Sequence, residues 1–253
     1  MPNFNDSMKA KVSPAAINTG LARPAGTGST NDLLYTLWGG STGSINDAGN
    51  TYFNTASGPT FRAASSTTTI TGGGGFTLTS PTGTTVGDVL IVQMWVQYDS
   101  KSGSIGTAPA GWTVRGTGDD VNYPQLPWRT FSRVATGTDS FVWTAGTNWE
   151  VLDAAMIAVS GATAVDVAGT RTLTAIASSV TTTTSPTLLV GLFAVKESTI
   201  SAPTSMTAQS TVTQTNHSLI IATETLSASG ATGTRTCPTS SLNLRYSQLI
   251  AVK

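Results

Sequence analysis

The sequence predicts an all-β chain: an antiparallel, jelly-roll-like β-sandwich with an N-terminal extended arm and a short helical hairpin. Three observations carry this. Charged residues make up only 10% of the chain, against roughly 25% in an ordinary soluble domain. With three Glu and five Lys, an exposed helix has almost no long charged side chains for its wet face. The commonest residue is Thr, at 46 positions, and its β-branched side chain suits a pleated surface better than a helix. Finally, most of the chain repeats short apolar runs separated by Gly, Ser and Pro, the pattern of a sandwich or barrel.

Residues 1–29 have mixed polarity, with Pro14, Pro24 and several Gly and Ala. They bury too little apolar area for a core and are expected to form an extended arm. Residues 30–57 differ. Thr30 and Asn31 are N-cap candidates for a short helix carrying Leu33, Leu34, Leu37 and Trp38, ended by Gly39-Gly40. Leu34, Leu37 and Trp38 recur at i, i+3 and i+4, one helical face. Ser44 or Asn46 would cap a second turn carrying Tyr52 and Phe53. Helices this short are marginal alone and need a partner surface, so these six apolar residues are the candidate docking residues. Residues 59–253 are expected to form the sandwich. Its clearest strands are Val89–Tyr98, Thr130–Ala135, Phe141–Thr144, Val151–Val159, Leu188–Lys196, Leu219–Leu226 and Arg245–Val252. Weaker ones are Phe61–Ile70, Phe76–Thr79, Trp112–Arg115, Leu173–Ala177 and Met206–Thr215, with Gly72 to Gly75 and Thr181 to Thr184 filling joins. The runs at Val89–Val92 and Leu188–Val190 do not alternate. They predict central strands covered on both faces, by the N-terminal region or a neighbouring subunit.

Two stretches, about 86–161 and 186–253, look alike. Gly87 to Val96 aligns on Ser185 to Ala194. Ala108-Pro109-Ala110-Gly111-Trp112-Thr113 aligns on Ala202-Pro203-Thr204-Ser205-Met206-Thr207. Met156-Ile157-Ala158-Val159 aligns on Leu249-Ile250-Ala251-Val252. The order and spacing predict two similar four-strand halves.

Chemistry-bearing patterns are sparse. Formal net charge is zero, so no basic face is available to displace counterions from nucleic acid. No stretch reaches the roughly 18 apolar residues of a membrane span, and the start carries no apolar signal segment. Nucleic acid and membrane are therefore not expected partners. A single cysteine, Cys237, excludes an internal disulfide and reads as a packed side chain. A single histidine, His217, opens a Thr-rich strand, where a solvated side chain is expected. No Gly-x-Ser-x-Gly elbow with a matching His supports a catalytic reading of it. Zinc needs more Cys or His than the chain offers. Asp99, Asp119 and Asp120 are the best oxygen ligands for calcium, but a polar loop tip is the preferred reading. Glu150 and Asp153, three apart on a strand, point to opposite faces and make no glycosidase pair. The chain is not expected to be an enzyme or to hold a cofactor or metal. Of the aromatics between 112 and 149, Trp112 and Trp143 read as core. Tyr123, Trp128 and Trp149, beside Pro, Asn or Gly, are candidates for stacking on a sugar.

The cassette Gly87 to Val92, Ala108 to Thr113, Phe141 to Thr144 and Ala155 to Gly161 resembles a β-sandwich cassette of minor structural proteins of tailed phages, found also in some bacterial surface proteins. Asn31-Asp32-Leu33-Leu34-Tyr35, followed by Gly43-Ser44-Ile45-Asn46-Asp47, is similar to a short helical element of phage virion proteins. The resemblance implies a virion structural protein, of the capsid-decoration or minor-tail type, made in the host cytoplasm. It implies no active-site residues. Other virion proteins are then the expected partners, in a symmetric homo-oligomer with a trimer among the candidates. The alternative is a carbohydrate-binding module that adheres to a host glycan. The chain lacks the long repetitive shaft of many tail fibres, so head and tail positions both remain open.

Overall fold

The structure, a computed structural model, describes residues 58–72, 75–98, 108–120, 123–137, 140–144, 149–196, 199–214, 217–239 and 245–253. The chain divides into two units, Met1–Ala56 and Ser57–Lys253, and all described residues belong to the second. The expected arm and helical element, with Leu33, Leu34, Leu37, Trp38, Tyr52 and Phe53, lie outside the described residues.

Among the described residues there is no helix. Seven strands come first: β1 (Thr60–Gly72), β2 (Gly75–Thr79), β3 (Val89–Tyr98), β4 (Thr113–Asp120), β5 (Tyr123–Val134), β6 (Ser140–Thr144) and β7 (Trp149–Ser160). Nine follow: β8 (Val165–Ala168), β9 (Ile176–Ala177), β10 (Thr181–Thr182), β11 (Thr187–Lys196), β12 (Thr207–Thr213), β13 (His217–Leu226), β14 (Gly230–Ala231), β15 (Arg235–Thr236) and β16 (Arg245–Val252). They form two five-stranded antiparallel sheets, β1-β7-β3-β5-β4 and β12-β13-β11-β16-β8. Three two-stranded ribbons, β2-β6, β9-β15 and β10-β14, complete the pairing. Each large sheet is drawn from one contiguous stretch of chain.

Side-chain alternation explains why the central strands look uniformly apolar. From β3, Val89, Ile91 and Trp95 enter a cluster shared with Leu188, Val190, Leu192 and Ile250 of the second sheet. Leu90, Val92, Met94 and Val96 point the other way, into a cluster with Phe76, Leu78, Phe141 and Trp143 of the β2-β6 ribbon. In the second sheet Leu189, Phe193, Leu249 and Ala251 meet Ala177, Val180 and Cys237 in a third cluster. Both faces of a central strand are thus dry, which removes the polar alternation of a half-exposed strand. Among the described residues, segments of the short ribbons lie against the outer faces of these strands. Thr181 to Thr184, expected as a join, contributes β10 to that cover.

The two large sheets run through their strands in the same relative order: in each, the third strand of a consecutive set of four lies between the second and the first, and the fourth lies beyond the first. Irregularities coincide as well. Pairing slips between Val114 and Gly116 on β4, and between Ala208 and Ser210 on β12, one residue past Thr113 and Thr207 respectively. On the opposite edges Arg62 is skipped in β1, and Asp166 is skipped between Val165 and Val167 in β8. The side chains of Arg62 and Asp166 each hold the turn before the next central strand, as bulge residues do. Arg62 Nε lies 2.7 Å from Asp88 Oδ2, and Asp166 Oδ2 accepts from the Thr183 amide at 2.7 Å. One alignment needs correction. Laying Gly87 to Val96 on Ser185 to Ala194 sets Ile91 against Leu189, but Ile91 faces the shared cluster and Leu189 the outer one. A one-residue slip reverses every side chain, and matching faces set Ile91 against Val190 instead.

Candidate functional site

Polar residues that interrupt the apolar strands converge between the two large sheets. Gln93 of β3 donates Nε2–H to the carbonyl of Phe193 on β11 at 2.9 Å. Thr130 of β5 donates to Gln248 Oε1 of β16 at 2.7 Å. The Gln248 amide nitrogen reaches the carbonyls of Arg115 at 2.8 Å and Gly169 at 2.7 Å. Across β7 and β13, His217 Nε2 meets Asp153 Oδ2. Thr68 of β1 donates to the other carboxylate oxygen at 2.8 Å, and Gln214 donates to Thr68 at 3.2 Å. Buried polar groups cost several kcal/mol in hydrocarbon surroundings unless partnered, so these contacts tie residues of the two sheets to one another.

The dyad has the composition of a catalytic pair but not the surroundings of one. Asp153 is 0% exposed and His217 3%. Trp95 lies against the imidazole, its ring centroid 5.4 Å away, and packs edge-on to Tyr246. His217 Nδ1 has no hydrogen-bond partner, so among the described residues no hydroxyl or thiol is bonded to it as a nucleophile would be. The expectation of a solvated His217 is overturned: β13 begins between the sheets, and its first side chain is interior. Asp153 shares its face of β7 with Ala155, Ile157 and Val159. The signal for this site was in the sequence: Gln93, Asp153 and Gln248 are polar residues in strands that must be covered on both faces, and each therefore needs an interior partner.

Among the three sugar-stacking candidates, Trp128 is fully buried and stacks on Tyr246, ring centroids 5.7 Å apart. It offers no face to a sugar, because Trp128 sits on the same side of its sheet as Trp95. The side chains of Tyr123 and Trp149, which open β5 and β7, lie outside the described residues, as do those of Glu150, Asp99, Asp119 and Asp120. Trp143 is buried and Trp112 half-buried in the cluster beneath the β2-β6 ribbon. Among the described residues no three His, Cys, Asp or Glu side chains gather as metal ligands do.

Cys237 is 1% exposed and donates to the Ser201 carbonyl at 3.1 Å. Burial, opposed only in part by that contact, pushes its thiol up to about 12. The reactive thiolate is therefore absent near neutrality. Intact-mass analysis after iodoacetamide treatment at about pH 8 should show the folded protein unmodified and the urea-unfolded protein singly alkylated. Rapid labelling of the native chain would show that Cys237 is not held in the third cluster.

Compared with known protein families, with characterised proteins and with solved structures, the chain matches none.

Proposed function

We propose that the chain is a structural protein of a tailed-phage virion, placed on the outer surface as a capsid-decoration or minor tail protein. Residues 1–57 dock it to other virion proteins and to sister subunits in a symmetric homo-oligomer. Residues 59–253 form the outward part, a β-sandwich built from two similar halves. The common strand order, the coincident bulges and the cluster shared by the two sheets support that architecture. The jelly-roll-like form is kept only as a two-layer sandwich, since each sheet comes from one contiguous stretch. The observation that carries the functional reading is where the chemistry-bearing side chains go. His217 and Asp153, the pair best suited to proton transfer, are buried against Trp95 and join two sheets. They do mechanical work. The rival reading, a module that stacks host glycans on aromatic faces, loses Trp128 to the interior.

The test is imaging of whole particles with an antibody raised against residues 57–253. Label on the outer surface is expected. A chain lacking residues 1–57 is expected to fold, with an unchanged β-type circular-dichroism spectrum, and to be missing from particles. Absence of label on intact particles would remove the virion reading, and normal occupancy by the truncated chain would remove the docking assignment.

A further inference from the structure

The two sheets meet at two pairs of edges that occupy matching places in the strand order, and the edges differ. At one, β12 lies along β1 and β7, and Gln214 of the 199–214 stretch bonds Thr68. At the other, between β4 and the segment after β8, a groove of about 370 Å³ opens, lined by Arg115, Gly116, Thr117, Gly169, Thr170 and Arg171. Gln248 forms a rigid tie beneath it, bonded to the carbonyls of Arg115 and Gly169. Small residues shape the walls. A Cβ on Gly118 would come within 2.6 Å of Arg171 Cδ, and one on Gly116 within 2.7 Å of Gln248 Oε1. The absence of side chains at these positions lets Arg171 lie close along β4.

The Arg171 guanidinium is short of a partner. Arg171 sits over the Tyr246 ring, 5.3 Å from its centroid, and its Nη1 is buried with no hydrogen-bond acceptor. Arg115 uses Nε on Ser132 Oγ at 2.7 Å, and burial lowers its pKa from the usual arginine value. Neither forms an ion pair among the described residues, whose acidic side chains are engaged elsewhere: Asp88 with Arg62, Asp166 with Lys253, Glu224 with Arg235 and Asp153 with His217. A buried N–H donor of a charged group left without an acceptor is costly. Both arginines line the groove, and a guanidinium fork matches the geometry of a carboxylate or another oxyanion.

We propose that this groove is an oxyanion-binding site, with Arg171 and Arg115 as its ligand-contacting residues and a carboxylate-bearing saccharide as its occupant. The hydroxyls of Thr117 and Thr170 on the groove wall suit the neighbouring sugar hydroxyls. The same chemistry would accept a free inorganic anion, and the experiment separates the two sources. The site stands apart from the virion reading and does not depend on it.

The full-length chain is titrated calorimetrically with a trimer of hexuronic acid, with the corresponding neutral hexose trimer and with inorganic sulfate. The uronate should bind, more weakly as salt is raised, and the neutral trimer should give no heat. Arg171→Met should weaken uronate binding by about tenfold or more. Thr170→Asp, which sets a carboxylate in the groove from an exposed position, should do the same with an unchanged thermal midpoint and so separates lost binding from lost fold. Sulfate binding that is lost in both variants while uronate gives no heat supports the oxyanion site and overturns the saccharide as its occupant. The proposal is overturned outright when neither anion binds, or when affinity survives both substitutions.

Discussion

Asp153→Ala is expected to be among the most destabilising single changes in the described unit, lowering stability by about 3–5 kcal/mol. The carboxylate meets His217 across the sheets and accepts from Thr68 within one. Removing it leaves an imidazole at 3% exposure with neither ring nitrogen partnered. Water cannot easily enter to compensate, because Trp95 and Tyr246 pack over the same space. For a unit of this size the loss corresponds to a drop in melting temperature on the order of 10 °C. The comparison that gives the result its meaning is the double variant Asp153→Leu with His217→Leu. Replacing both partners by apolar groups removes the stranded polar group, so much of the loss should be recovered. A chemical role for the pair would show itself separately, as function abolished although stability is restored. Differential scanning calorimetry of the single and double variants decides the structural claim. If Asp153→Ala melts within a degree of the parent, the contact between β7 and β13 does not hold the sheets together.

The strands were legible in the sequence wherever a long apolar run carried its own boundaries. Val89–Tyr98 and Arg245–Val252 are found with the bounds that their composition predicts, and β11 and β13 differ by one and two residues at their starts. β9 falls at the end of the expected strand Leu173–Ala177, but β10, β14 and β15 were not legible, because a strand of two residues has no period to detect. Ala177 of β9 and Cys237, next to β15, pack on Leu189, Phe193 and Leu249, a tertiary reason that local propensity does not contain. The interior dyad was half legible. Asp153 in Val151-Leu152-Asp153-Ala154 is a visible interruption of an apolar strand, but its partner lies 64 residues away, in the other sheet. The same limit explains the edge groove. Arg115 and Arg171 come together only because β4 and β8 are the outer strands on one side of the two sheets, and nothing near either residue in sequence announces the other.

Trp128→Ala is the substitution that separates local from tertiary information most directly, with an expected cost of about 3–5 kcal/mol. Flanked by Pro127 and Arg129, Trp128 has the neighbours of an exposed loop aromatic. In the sheet it pairs with Trp95 in register on β3 and stacks on Tyr246, with planes 7° apart. Its removal opens a cavity at the point where β3, β5 and β16 meet. The cavity is too well lined to collapse cheaply, since Trp95 and Tyr246 are themselves held edge-on at 5.8 Å. Trp128→Phe should retain most of the stack and cost markedly less, which distinguishes lost packing from lost hydrogen bonding, the indole nitrogen having no partner to lose. Glycan binding makes the opposite prediction: an exposed sugar-stacking tryptophan loses ligand on truncation but leaves the melting temperature within a degree or two. A large fall in melting temperature therefore assigns Trp128 to the interior, and an unchanged melt with lost sugar binding would return it to the surface and reopen the adhesive reading.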